Sequence, residues 1–269
     1  MTVTRRQAQE LLDRHGVRPS RALGQNFVVD PNTVRRVVRL AGVQPGDHVV
    51  EVGAGIGALT LALVEAGADV TAVELDRHLL PILTEVLADV EPRPAVVQGD
   101  ALELDWSRLL ARAEHWHLVA NLPYNVATPL VLDLLDRVPA IERMLVMVQR
   151  EVGERLAASP GTKAYGIPSV KVAYWANAQV VGRVGPTVFW PKPKVDSALV
   201  RIERRIEPAT TADPDALFTL VRAGFGQRRK MLRGSLAGLV DAAGFERAGV
   251  SAEARAEELS VEDWGRLAQ

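Results

Sequence analysis

The feature that most narrows the folds open to this chain is a glycine turn, Gly53-Ala54-Gly55-Ile56-Gly57, set between a β-branched run and an apolar stretch. His48–Val52 ahead of it and Ala58–Ala66 behind it predict a strand, a sharp turn and a helix. The alternation then repeats. Val70–Glu74 reads as a strand, Arg77–Asp89 as a helix, and Ala95–Gln98 and His117–Ala120 as strands. Val126–Asp136 reads as a helix and Arg143–Gln149 as a buried fifth strand. Short β-branched runs alternating with helices are the pattern of a parallel sheet covered on both faces. A polar helix and a Gly-Thr-Lys loop follow, and Val180–Val184 and Ala198–Ile202 are expected to close the sheet edge as antiparallel strands. Glu207–Asp215 combines proline, threonine and aspartate without periodicity and reads as a linker. Beyond it, Ala216–Gly224, Lys230–Leu239 and Val261–Leu267 read as helices. The expected organisation is an α/β domain over residues 1–207 and a small all-helical C-terminal domain over 208–269.

With 48% hydrophobic and 24% charged residues, the 269-residue chain can bury a substantial core and is not expected to be disordered. It has no cysteine, which excludes a disulfide scaffold, a thiolate nucleophile and a cysteine-based zinc site. No apolar run is long enough to cross a bilayer and Met1–Arg21 carries several arginines, so a cytoplasmic location with no membrane partner is expected. The net charge of −1 conceals a segregation: residues 1–39 hold 8 basic and 3 acidic side chains, and residues 183–234 hold 11 and 5. The intervening residues 40–182 hold 10 basic and 18 acidic. Two basic blocks flanking an acidic one suit a polyanion, because phosphate binding follows the local field rather than the overall pI. Solvated helix faces are the plainer reading of the same blocks.

Glycines are required where a backbone turns sharply and approaches a nucleotide closely. The turn at Gly53 and Gly55 also satisfies the dinucleotide pattern Gly-x-Gly-x-x-Ala, so alone it points only to an adenosine-containing cofactor. Glu74 ends the next strand, 21 positions after Gly53, where a carboxylate can accept both ribose hydroxyls. Asp100 follows the third strand at the same sheet edge and can accept from an adenine amino group. Two acids after consecutive strands describe an adenosine site at the carboxyl ends of parallel strands.

Asn121-Leu122-Pro123-Tyr124, directly after the fourth strand, decides between cofactors. The string resembles the Asp/Asn-x-Pro-aromatic signature of methyltransferases that act on the adenine amine. That amine is a poor nucleophile because its lone pair is delocalised into the ring. The Asn121 side-chain oxygen and the Leu122 carbonyl can accept its two hydrogens, Pro123 stiffens the turn, and Tyr124 offers a face for a flipped-out base. Such stacking is worth about 1–3 kcal/mol per base. The methyl group would come from a sulfonium, which departs as a neutral thioether, so no metal is required.

Further strings extend the likeness along nearly the whole chain. Leu23-Gly24-Gln25-Asn26-Phe27, Phe189-Trp190-Pro191-Lys192-Pro193-Lys194-Val195-Asp196-Ser197 and Phe225-Gly226-Gln227-Arg228-Arg229-Lys230 resemble motifs of the small-subunit rRNA adenine N6,N6-dimethyltransferases of the KsgA/RsmA type. The resemblance implies a Rossmann-like S-adenosylmethionine-dependent methyltransferase sheet with helices on both faces. It implies dimethylation of two adjacent adenosines near the 3′ end of small-subunit rRNA, in an immature small subunit, by a monomer.

Cofactor contacts are implied for Gln25, Asn26, Val28, Gly53, Gly55, Glu74, Leu75, Asp100, Ala101 and Asn121. Val28 stands where the family usually has leucine. Phe189 would be the second wall of the base pocket, with a core aromatic as the alternative, and Lys192, Lys194, Arg228, Arg229 and Lys230 would touch RNA phosphates. Three other readings compete: a large-subunit rRNA adenine methyltransferase of the antibiotic-resistance type, an NAD-dependent oxidoreductase, and a non-catalytic ribosome-assembly factor that binds RNA. The second leaves Asn121–Tyr124 unexplained, and the intact cofactor motifs argue against the third.

Overall fold

The structure, a computed structural model, describes residues 3–269 and divides into two compact units. One unit comprises the chain up to Gly153 together with Gln179–Glu203; the other comprises Glu154–Ala178 and Arg204–Gln269.

The first unit begins with α1 (Arg5–Arg14), β1 (Phe27–Val28) and α2 (Pro31–Ala41). The alternation then runs β2 (His48–Val52), α3 (Ala58–Glu65), β3 (Asp69–Glu74), α4 (Leu80–Val86), β4 (Ala95–Gln98), α5 (Trp106–Leu109), β5 (Trp116–Asn121), α6 (Ala127–Arg137) and β6 (Ile141–Gln149). After α7 (Arg150–Leu156) and α8 (Ile167–Trp175) come β7 (Ala176–Val184), β8 (Phe189–Trp190) and β9 (Ser197–Arg204). The seven-stranded sheet has the order β4-β3-β2-β5-β6-β9-β7. Its pairs from β4 to β6 are parallel, and β9 runs antiparallel to β6. Between β2 and β5 the strand order reverses, and the crevice above such a switch point is where open α/β sheets bind ligands.

Both faces are buried, as a parallel sheet requires. Val49, Val119 and Leu145 share a core with Val34 and Val37 of α2 and Leu63 of α3. The alternate positions Val50, Leu118 and Val146 are fully buried too, as are Leu130, Val131 and Leu134 of α6. A separate two-stranded sheet pairs β1 with β8 antiparallel, Phe27 opposite Trp190 and Val28 opposite Phe189.

The second unit is helical, with α9 (Pro214–Gly226), α10 (Leu232–Ser235), α11 (Ala242–Ala248) and α12 (Val261–Leu267) following α8. Residues 154–178, expected in the N-terminal domain, group with these helices. The cause is packing: Tyr165, Val170 and Tyr174 share a core with Leu217, Phe218 and Trp264. Their hydroxyls are satisfied there as well, Tyr165 donating to the Leu259 carbonyl at 2.8 Å and Tyr174 to that of Ala212 at 2.9 Å.

The expected helix over Arg77–Asp89 contracts to Leu80–Val86, and Pro81, which lacks an N–H, sits in its first turn. The one expected over Lys230–Leu239 contracts to Leu232–Ser235, with Gly238 at φ 82° beyond its end. The linker ends early, because Asp213 caps α9 by accepting the Ala216 N–H at 2.9 Å. Among the described residues no helix is long and apolar enough to cross a membrane.

Gly224 lies where α9 meets Trp264, and a Cβ there would sit 2.6 Å from the ring and 3.3 Å from Ala256 Cβ. Trp264 is fully buried and has no room to retreat. Gly224→Ala is therefore expected to destabilise by about 1–3 kcal/mol through overpacking, outweighing the helical advantage of alanine. Urea denaturation followed by tryptophan fluorescence checks this; an unchanged or raised midpoint contradicts it.

Candidate active site

The carboxyl ends of β2, β3, β4 and β5 and the segment Leu23–Phe27 enclose one cleft of about 870 Å³, its open mouth included. Gly53, Gly55, Glu74, Asp100, Asn121, Leu122, Pro123 and Tyr124 line it together, as do Gln25, Asn26, Leu75 and Ala101. These residues come from five chain segments, four of which the parallel topology delivers to one edge.

Glu74 is the centre of the arrangement. It is 6% exposed, and its Oε2 accepts the Gly55 N–H at 2.7 Å while its Oε1 accepts the Asp76 N–H at 2.8 Å. Burial raises its carboxyl above the ordinary range, and the two backbone donors oppose that rise. Gly55 has φ 59°, and a Cβ there would stand 3.0 Å from the Phe27 ring, so only glycine brings its amide to this carboxylate.

The glycine turn thus organises the acid. Each carboxylate oxygen keeps a further lone pair for an incoming hydroxyl. Asp100 commits its Oδ1 to the Leu102 N–H at 2.9 Å, and Leu75 projects half-exposed from the cleft lip.

Asn121 ends β5 and donates from Nδ2 to the Asn26 carbonyl at 2.9 Å, which leaves Oδ1 as an acceptor. Leu122 N–H is tied to the Met147 carbonyl at 3.0 Å, and among the described residues no group donates to the Leu122 carbonyl. Pro123 packs 3.5 Å from the Cβ position of Gly53 and 3.3 Å from that of Gly24, wedged between the glycine turn and the opening loop. Tyr124 is half-buried, its hydroxyl 3.2 Å from Ser197 Oγ, and burial raises its ionisation further above neutrality.

Gln25 lines the cleft but acts as a tie. Its Oε1 accepts the Ser20 N–H at 2.7 Å and its Nε2 donates to Asp76 Oδ2 at 2.8 Å. Asp76 belongs to none of the motifs, although Glu74-Leu75-Asp76 places a second acid just past the strand tip. Gly24, Asn125 and Leu79 are further lining residues that the motifs did not mark.

Two expected residues lie elsewhere. Val28 is buried in β1, because a strand directs successive side chains to opposite faces and Phe27 takes the cleft side. Phe189, opposite Val28, is fully buried in the same core and presents no face to the cleft. It is the core aromatic that its strand-edge position also allowed.

Lys192, Lys194, Arg229 and Lys230 are exposed and make no ion pair among the described residues. Arg228 is engaged within its own unit, by Glu257 at 2.6 Å and the Lys163 carbonyl at 3.1 Å. Among the described residues no group of three or more His, Cys, Asp or Glu side chains is placed to hold a metal ion.

A family model described as ribosomal RNA adenine dimethylase matches residues 17–269. The ribosomal RNA small subunit methyltransferase A of Streptomyces coelicolor is 51% identical, over 97% of this chain and 94% of its own length. The protein of the same name from Thermobifida fusca is 49% identical, over 94% and 91%. Among solved structures, the 23S rRNA methyltransferase ErmE superposes with a TM-score of 0.72 at 28% identity, over 90% of this chain and 98% of that one. A dimethyladenosine transferase from Plasmodium falciparum gives 0.74 at 22% identity, over 88% and 94%, which speaks for the fold alone.

Beneath the cleft, Glu51 is 2% exposed and accepts the Thr60 hydroxyl at 2.5 Å. Burial pushes its carboxyl up to about 8, with the Thr60 bond opposing and Glu74 adding to the rise. A carboxyl raised in the folded state stabilises fully below its unfolded value near 4.5, and that stabilisation is lost as pH rises through about 8. The urea midpoint is expected to fall between pH 5 and 9, and Glu51→Gln, which keeps an acceptor for Thr60 without the charge, is expected to flatten the profile. Parallel profiles for the two proteins would show that Glu51 does not carry the dependence.

Proposed function

The chain belongs to the ribosomal RNA adenine dimethylase family, and from that premise we propose that its cleft binds S-adenosylmethionine and methylates two adjacent adenosines near the 3′ end of small-subunit rRNA. The product is N6,N6-dimethyladenosine. The observation that carries the reading is the convergence of Glu74, Asp100 and Asn121 on one cleft, with the Asn121 amide already oriented by Asn26.

The residues present fit the cofactor. Glu74 retains acceptor capacity for the two ribose hydroxyls, Asp100 has Oδ2 open toward the adenine amino group, and Leu75 and Ala101 supply apolar walls. The cofactor supplies an electrophilic methyl group on a sulfonium; the protein supplies position. Asn121 Oδ1 and the Leu122 carbonyl accept the two hydrogens of the target amine, which favours a pyramidal nitrogen whose lone pair is localised and faces the methyl group. Tyr124 stacks on the base and holds it there. Held in this geometry, the reactants need little further ordering, and such fixation accounts for much of the rate. After transfer the nitrogen is cationic and its proton acidic, so water takes it, leaving a second hydrogen for the second methylation.

Small-subunit rRNA is favoured over large-subunit rRNA by the identity near 50% with relatives named for the small subunit, against 28% with ErmE. The exposed Lys192, Lys194, Arg229 and Lys230 give affinity and register on phosphates more than sequence choice. The substrate is an immature small subunit, and the enzyme acts as a cytoplasmic monomer.

Tritium transfer from labelled cofactor to immature small subunits, to large subunits and to naked rRNA tests this. Label is expected in the small subunits at two adjacent adenosines, and label confined to large subunits contradicts the assignment. Asn121→Ala is expected to lower transfer by at least about 100-fold, the scale seen when one positioned polar group is lost from a catalytic site. RNA binding should persist; unchanged transfer would remove Asn121 from the mechanism.

A further inference from the structure

The segment Phe189–Ser197 was expected to reach the base pocket through its phenylalanine, and that side chain is in the core. A different residue of the segment reaches the cleft's Tyr124 instead. Ser197 opens β9, is fully buried, and stands opposite Gln149 on β6 with its Oγ 3.2 Å from the Tyr124 hydroxyl. Its backbone setting is rigid, because Asp196 next to it accepts the Arg150 N–H at 2.9 Å and the β6–β9 ladder runs on from Ser197.

Tyr124 is placed quite differently. It lies in the short connection between β5 and α6, between half-buried Pro123 and exposed Asn125. Its ring pairs with no other aromatic ring among the described residues, and its one directional side-chain contact is the hydroxyl bond to Ser197.

We propose that Ser197 is a positioning residue for the RNA base: by holding the Tyr124 hydroxyl on the sheet side, it fixes the ring with its face toward the cleft. The proposal rests on the reading that Tyr124 stacks on the target adenine. A ring free to turn about χ1 and χ2 loses that freedom when a base stacks on it, whereas an anchored ring has already lost it on folding. The anchor touches neither the cofactor acids nor Asn121, so its effect falls on the base. Burial keeps the Tyr124 hydroxyl protonated, so it remains a neutral hydrogen-bonding partner across the physiological range.

The test measures kcat/KM for methyl transfer to immature small subunits, with the Kd for S-adenosylmethionine and the melting temperature in parallel, for Ser197→Ala, Tyr124→Phe, the double variant and Tyr124→Ala. Ser197→Ala and Tyr124→Phe delete the same bond from opposite ends, and Tyr124→Phe does so without altering the buried sheet. Each is expected to lower kcat/KM about 3- to 10-fold, the scale of one net hydrogen bond. The double variant should be no worse than either single one, and cofactor affinity should be unchanged. Tyr124→Ala should lose considerably more.

Wild-type transfer in Tyr124→Phe, losses that multiply in the double variant, or a loss that appears as weaker cofactor binding would overturn the role of Ser197. Wild-type transfer in Tyr124→Ala would instead overturn the stacking reading, and the proposal with it.

Discussion

The two oxygens of the Glu74 carboxylate hold the cleft together. One accepts from Gly55 in the turn after β2, the other from Asp76 beyond the tip of β3. Asp76 in turn receives the Gln25 amide, Gln25 receives the Ser20 N–H, and directly after Gln25 the Asn26 carbonyl takes the Asn121 amide. Hydrogen bonds thus link the opening loop, the glycine turn, the β3 tip and the end of β5. Burying a carboxylate is costly unless its oxygens are satisfied, and here the satisfying groups are the segments that must be positioned. Removing the acid would leave the Gly55 and Asp76 amides without their partner and would release the loop that orients Asn121.

This organisation explains why a site made of individually ordinary residues can perform a demanding transfer. The atoms that would meet a nucleobase amine, Asn121 Oδ1 and the Leu122 carbonyl, are the ones the protein leaves unengaged, while their neighbours Nδ2 and Leu122 N–H are bonded inward. Donors and acceptors fixed before the substrate arrives need no reorganisation at the moment of reaction. Pro123, wedged between Gly24 and the glycine turn, keeps that presentation from relaxing. Tyr124 is the wall least supported by main-chain packing and is steadied from β9 instead.

Much of the sheet and most of the cleft were legible in the sequence because their signals are local. β2 and β4 have the limits that their β-branched runs predict, and the glycine turn and strand-tip acids fall where a parallel sheet needs them. The rest has two physical causes. Some of it is local but lies outside the strand and glycine patterns: Asp30-Pro31 and Thr33 form the capped start of α2, and Thr4 and Gln7 that of α1. Other features depend on long-range pairing that no short window contains. Phe189 is in the core because β8 pairs with β1, 162 positions earlier by the Phe189–Phe27 spacing. Residues 154–178 group with the C-terminal helices because two tyrosines find their acceptors at Leu259 and Ala212. Arg228 is engaged by Glu257, 29 residues on, which a basic run read in isolation cannot show.

The proposed reaction requires a nucleoside gripped at the tips of β3 and β4 with its sulfur directed toward Asn121. The crystal structure of the protein with S-adenosylhomocysteine tests that most directly. The predicted result places both ribose hydroxyls on Glu74, the adenine amino group on Asp100 and the sulfur facing Asn121, with the Asn26–Asn121 bond intact. A nucleoside bound outside this cleft, or one whose ribose faces away from Glu74, would contradict it.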